Sequence, residues 1–128
     1  MDDAPPPSAA TLLVVDDTPD SLRFLMTALE AARMTVLVAI DGFAALDLLQ
    51  HITPDLILMD VVMPGQSGFQ LTRTITRNPA YADVPVIMCT SKNQETDRVW
   101  GMRQGAKDYF VKPVDPAQLL ARIATLGA

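Results

Sequence analysis

The sequence predicts an α/β protein, a doubly wound sheet of five parallel strands with helices on both faces. Three observations lead there. Leu56-Ile57-Leu58-Met59 is apolar at every position, which suits a strand covered on both sides. Similar short runs alternate with stretches of helical periodicity along the chain, the pattern that right-handed crossovers join into one parallel sheet. Most of these runs stop on polar residues, and in a parallel sheet such ends gather along a single edge.

Thr11-Leu12-Leu13-Val14-Val15 reads as the first strand and ends on Asp16-Asp17. Thr18-Pro19 looks like a helix cap followed by a proline at the first helical position, and Leu22, Leu25, Met26 and Leu29 then recur at helical spacing. Met34 to Ala39 reads as a second strand, and Asp41-Gly42 turns the chain into a helix marked by Phe43, Leu46 and Leu49. Thr53-Pro54-Asp55 ends that helix and leads into the run that closes on Asp60, before Pro64-Gly65 break the chain. Phe69, Leu71, Thr72 and Ile75 mark a third helix, stopped by Asn78-Pro79. Val84 to Cys89 is the expected fourth strand, ending on Thr90-Ser91. A fourth helix follows over residues 94–104, with Val99 and Met102 expected inward and Gly105 at its end. Asp108 to Val111 forms a short fifth strand that stops at Lys112-Pro113. Asp115-Pro116 opens the last helix, whose Leu119, Leu120, Ile123 and Leu126 face the core.

The 128 residues suffice for one domain with a substantial core. Residues 1–10, acidic and rich in proline, are expected to form a disordered leader unlike a secretory signal, leaving 11–128 as the domain. No apolar run is long enough to span a bilayer, so no membrane is expected. The single cysteine, Cys89, cannot pair within the chain, and a reducing cytoplasm is the expected location. A net charge of −5 with scattered Lys and Arg argues against nucleic acid as a direct partner.

The polar strand ends bring Asp16, Asp17 and Asp60 together with Thr90 and Lys112. Three neighbouring carboxylates repel one another unless a cation joins them, and an all-oxygen donor set suits a hard divalent ion, Mg2+ in the first place. The one histidine, His51, has no Cys or His partner and is expected at the surface. A metal, an ammonium and a hydroxyl around a carboxylate make a place for a phosphoryl group, with Asp60 as base or nucleophile. Neutralisation of phosphoryl oxygens by the metal and Lys112 favours the nucleophile. Taken singly, these residues have plainer readings. Thr90 serves as well for a helix cap, Tyr109 for strand packing, Asp20 for a first-turn helix charge and Asp41 for a turn residue. Met59, Met63 and Met88 read as core, and Cys89 as inert inside its strand.

Asp16-Asp17, the run closing on Asp60, Met63-Pro64-Gly65, Thr90-Ser91 and Tyr109-Phe110-Val111-Lys112-Pro113 together resemble a two-component response-regulator receiver domain, over residues 11 to about 126. The flavodoxin-like strand order 2-1-3-4-5 is implied by that family, for which it is a known example. The resemblance implies that Asp60 takes a phosphoryl group from the phosphohistidine of a histidine kinase or a histidine phosphotransfer protein. Asp16, Asp17, Asp60 and the backbone carbonyl of Val62 would hold Mg2+, or Mn2+ in its place. Lys112 would pair with the phosphoryl group, next to a cis Lys112-Pro113 bond. Thr90 and Tyr109 would act as the switch, Tyr109 turning inward from the outer edge as the loop after Thr90 closes. A downstream protein would then read the face made by helix 4, strand 5 and helix 5. The domain would catalyse only its own phosphorylation and dephosphorylation. The stretch from Ser91 to Gly105 is similar to chemotaxis-like receivers of twitching motility, and Trp100 there is either an exposed anchor or packed on the neighbouring helix.

The positions two residues after Asp60 and two after Thr90, which in this family influence how fast the acyl phosphate hydrolyses, are Val62 and Lys92 here; an apolar Val62 cannot orient an attacking water, so a fairly long-lived phosphoryl state is expected. Arg122 and Asp108 fit the charged dimer face of transcription-activating receivers, but Lys107 stands where those often carry an acid, so a monomer or weak dimer is expected. A phosphatase of the haloacid-dehalogenase type needs an acid at Val62, and neither GxxxxGK nor GxGxxG occurs for a nucleotide, although a flavin needs neither. A receiver cut from a larger hybrid kinase or multidomain regulator and a non-phosphorylated scaffold are the remaining alternatives.

Overall fold

The computed structural model describes residues 10–127. Residues 1–9 of the expected leader therefore lie outside the described residues. The elements follow in the order β1 (Thr11–Val15), α1 (Pro19–Ala31), β2 (Thr35–Ala39), α2 (Gly42–Leu49), β3 (Leu56–Met59), α3 (Gly68–Arg77), β4 (Val86–Thr90), α4 (Glu95–Arg103), β5 (Asp108–Val111) and α5 (Pro116–Thr125). The sheet has the order β2-β1-β3-β4-β5 with every pair parallel, as expected.

Alternation within each strand splits the core into two layers. Leu13, Val15, Ile57, Met59, Val86 and Met88 face α2 and α3, where they meet Ala45, Leu49, Leu71 and Ile75. Leu12, Val14, Leu56, Leu58, Ile87 and Cys89 face α1 and α5, where they meet Leu25, Leu29, Leu119 and Ile123. Covering both faces is why the central strands are apolar at every position.

The helix starts are set locally. Asp41 caps α2 by accepting from the Ala44 N–H (2.8 Å), a role beyond the turn residue expected of it. Ser67 and Gln70 form a reciprocal capping box on α3. Asp115 accepts from the Ala117 and Gln118 amides at the start of α5, as the sequence predicts.

Three local expectations are corrected. β4 begins at Val86 and runs through Thr90; Pro85, which has no N–H to give a ladder, enters only through its carbonyl, accepting from Ile57 N–H (2.9 Å). In α2 the buried face is Gly42, Ala45 and Leu49, and Phe43 stands 89% exposed. In α4, Val99 and Met102 are exposed, and Gly101 is the helix's buried residue. Gly101 lies inward because the Tyr109 ring and Met88 Sδ fill the space that any side chain there would need.

Candidate phosphoryl site at the strand edge

β1 and β3 are paired with Val15 beside Met59, so Asp16 and Asp60 leave the sheet side by side. Carboxylate oxygens of Asp16, Asp17 and Asp60 lie within 4.8 Å of one another. Asp16 and Asp60 are buried and Asp17 is exposed at the rim. The β4–β5 pairing is extended by the Lys112 N–H, which donates to the Thr90 carbonyl (2.9 Å). From there the Lys112 ammonium reaches across, 2.8 Å from Asp16 Oδ2 and 3.3 Å from Asp60 Oδ2. The Lys112-Pro113 peptide is cis, as the resemblance implied.

Each buried carboxylate is held at both oxygens. Asp16 Oδ1 accepts from the Thr18 N–H (2.9 Å), and Oδ2 accepts from the Ser21 hydroxyl (2.7 Å) as well as Lys112. Thr18 opens α1 with its carbonyl, which accepts from the Leu22 N–H (2.9 Å), and its side chain makes no capping bond. Asp60 Oδ1 accepts from the Val61 and Val62 amides (2.7 and 3.3 Å), which leaves Oδ2 turned to Lys112 and the cleft above. Burial lowers the proton affinity of Lys112, but its hydrogen bond and attraction to Asp16, then to Asp60, outweigh that and hold its pKa above the usual lysine value. Burial pushes the nearby Cys89 thiol up to about 12, so it stays protonated and inert at neutral pH, as expected.

The donor set passes the test for a hard cation. One ammonium among three carboxylates leaves two negative charges uncompensated, all on oxygen. His51 is exposed.

Thr90 ends β4 fully buried, its hydroxyl accepting from the Lys92 N–H (3.3 Å). Tyr109 stands on the edge strand β5, but its ring is already turned inward. Its side chain is buried beneath α4 and its hydroxyl donates to the Lys92 carbonyl (2.9 Å), pinning the loop after Thr90. The missing side chain at Gly101 opens that space for the ring. Burial, and after it the charges of Asp97 and Asp60, push the phenol up to about 12. Trp100 is 48% exposed and lines a cleft toward α3 with Phe69 and Arg73, while Arg98 and Arg122 meet Asp108 on the other side.

Two residues that sequence reasoning passed over belong to the site. Ser21 sits one turn into α1, where its hydroxyl meets Asp16; nothing in its spacing distinguishes it from a surface serine. Gly68 opens α3 directly against the Asp60-Val61 backbone, and its N–H donates to the Val61 carbonyl (2.8 Å). A Cβ on Gly68 would overlap the Asp60 carbonyl oxygen.

Residues 12–124 match the family described as the response regulator receiver domain. The chain belongs to that family. Protein PilH of Pseudomonas aeruginosa PAO1 is 47% identical over 114 residues, 89% of this chain and 94% of PilH. Response regulator PleD of Caulobacter vibrioides NA1000 is 38% identical over 118 residues, 92% of this chain but only 26% of PleD. The solved structure of the chemotaxis response regulator CheY4 of Vibrio cholerae superimposes with a TM-score of 0.84 at 29% identity, over 93% of this receiver and 99% of that chain. A receiver is a signalling switch of two-component systems and not an enzyme in the ordinary sense. No helix among the described residues is long and apolar enough to cross a membrane.

Proposed function

We propose that this receiver accepts a phosphoryl group on Asp60 from the phosphohistidine of a histidine kinase or a phosphotransfer protein. The observation that carries the reading is the asymmetry of the Asp60 carboxylate. Two backbone amides hold Oδ1, while Oδ2 faces the cleft beside the Lys112 ammonium. Oδ2 attacks phosphorus, the P–O bond forms as the P–N bond breaks, and the leaving electron pair stays on the donor's imidazole nitrogen. Lys112 is within reach to pair with the added phosphoryl oxygens, and Ser21 and the Thr18 amide keep Asp16 oriented when it does. Asp16, Asp17 and Asp60, with the Val62 carbonyl, would hold Mg2+ (or Mn2+), which supplies neutralisation of phosphoryl charge when bound.

The modification then biases Thr90, Tyr109 and the intervening loop, and a downstream protein reads the α4–β5–α5 face. The protein acts in the cytoplasm, as a monomer or weak dimer. The small share of PleD that this receiver matches supports an alternative setting, as one module of a larger regulator.

Incubation with acetyl phosphate and MgCl2, followed by intact mass, tests the chemistry. One phosphate is expected on the parent and none on Asp60→Asn; a second site of equal yield, or no adduct, overturns the assignment. Val62 is 57% exposed at the cleft and offers no group to orient water. Val62→Asn is therefore expected to shorten the phosphoryl lifetime several-fold, and an unchanged decay rate would remove Val62 from the account.

A further inference from the structure

We infer that the cleft between α3 and α4 is a docking groove for an acidic partner segment carrying a bulky apolar side chain. This goes beyond the α4–β5–α5 face and does not depend on chemistry at Asp60. The cleft measures about 680 Å³ and is lined by Val62, Met63, Phe69, Arg73, Lys92 and Trp100 among others. At one end of the cleft the Thr76 hydroxyl donates to the Gln104 carbonyl (2.7 Å) and ties the two helices together. At the other end it opens toward the loops that follow β3 and β4.

Its lining is mixed, with Val62, Met63, Phe69 and Trp100 beside the polar Ser67, Gln70 and Gln104. Val62 and Trp100 are 57% and 48% exposed, a large area to leave wet, and tryptophan and arginine are the residues that most often anchor interfaces. Trp100 lies roughly 200° around the helix from Arg98, and Arg98 is the residue that turns toward Asp108 of β5. The groove is therefore distinct from the α4–β5–α5 face.

Charge selects the occupant. The protein carries a net charge of −5, yet no Asp or Glu occurs between Asp60 and Asp83, the stretch that supplies one whole wall. That wall presents Arg73, and Arg77 lies one turn on, beyond the lining itself; both are exposed and neither forms an ion pair among the described residues. On the opposite rim the Lys92 ammonium makes one long contact, with the partly buried Asp97 (3.8 Å). A cationic, tryptophan-lined groove on an otherwise acidic surface attracts a segment with a carboxylate flanking an apolar anchor and repels most of the protein's own surface. The same overall negative charge disfavours a polynucleotide, whose backbone would meet acidic surface beyond the groove.

The probe is a fluorescein-labelled, end-blocked peptide, Glu-Asp-Leu-Phe-Asp-Glu-Leu, titrated with the full chain and followed by anisotropy. Its counterpart with every acid replaced by lysine is the control. Saturable binding of the acidic peptide alone is expected, weakening as salt rises. Arg73→Glu and Trp100→Ala, both at exposed positions, are each expected to weaken it about tenfold or more. Arg23→Glu on α1 is expected to change it little. Backbone amide shifts in the 15N-labelled parent locate the peptide, with the largest expected at Val62, Phe69, Arg73 and Lys92. Absence of saturation, equal binding of the lysine peptide, or shifts confined to β5 and α5 would overturn the proposal. So would self-association abolished by Arg73→Glu, which would give the groove to a second copy, or tighter binding of a single-stranded oligonucleotide than of the peptide.

Discussion

Helices α3 and α4 pack on the same layer of the sheet, yet they are built in opposite ways. α3 buries Leu71, Thr72 and Ile75 and leaves Arg73, Thr74 and Arg77 outward. α4 buries Gly101, with Gln104 just beyond its end, and holds Val99, Trp100 and Met102 at the surface. A helix anchored by large side chains resists displacement, because moving it exposes apolar area at about 25 cal/mol per Å². A helix that rests on a glycine has little such area to lose. α3 is therefore the more firmly anchored element, holding the backbone after Asp60, and α4 the one with less apolar area to lose on moving.

The largest expected effect lies at the fixed end. A Cβ at Gly68 would overlap the Asp60 carbonyl oxygen and sit 2.8 Å from the Asp60 carbonyl carbon and Val61 Cα, all of them backbone atoms with nowhere to go. Gly68→Ala is expected to lose about 3 kcal/mol or more in urea unfolding, together with phosphorylation of Asp60. A variant within about 0.5 kcal/mol of the parent would show that α3 is not the rigid partner described above.

A smaller effect is expected at the matching position of α4. In a free helix Gly→Ala stabilises by about 1 kcal/mol. At Gly101 the added methyl would meet Met88 Sδ at 2.8 Å and the Tyr109 ring at 3.1 Å. Met88 is fixed in the core, whereas Tyr109 lies on the edge strand β5, so the ring is what gives way. Gly101→Ala is expected to lose about 1 kcal/mol net and to free the Tyr109 hydroxyl from the Lys92 carbonyl. The phenol reports this directly. In the parent its pKa is pushed up to about 12, so Tyr109 contributes stability in full below the usual phenol value and loses it as pH rises through 12. In Gly101→Ala an ultraviolet titration, referenced to Tyr109→Phe, is expected to find ionisation near 10. A more stable variant with the phenol still at 12 would mean that α4 has room to spare.

The same contrast explains what the sequence discloses. Strand order aside, the layers could be read because β1, β3 and β4 are apolar on both faces, and α3 because Leu71 and Ile75 keep helical spacing. The rim was legible because topology alone carries Asp16, Asp60 and Lys112 to one edge. The inward face of α4 is not legible, because periodicity turns the apolar side in and glycine carries no hydropathy signal to say otherwise. The inward turn of the Tyr109 ring is hidden for the same reason: its space depends on an atom Gly101 lacks. Ser21 and Gly68 act through one hydroxyl and one absent Cβ, contacts set only once distant segments meet.

The smallest expected effect tests whether α3 is anchored at every buried position. Thr72 is fully buried, and its hydroxyl has no hydrogen-bond partner among the described residues. Its neighbours on the helix manage otherwise, Thr74 donating to the Gln70 carbonyl (3.1 Å) and Thr76 to that of Gln104 (2.7 Å). An unpaired buried hydroxyl costs about 1–3 kcal/mol, and valine fills nearly the same volume with a helix propensity close to threonine's. Thr72→Val is therefore expected to stabilise the protein by about 0.5 kcal/mol in urea unfolding, with phosphorylation of Asp60 unchanged. Because Thr72 lies between Leu71 and Ile75 on the sheet side of α3, a gain would tighten the fixed helix without touching α4. A loss of similar size would show that the hydroxyl is satisfied in solution, and that part of α3's hold on the sheet is polar.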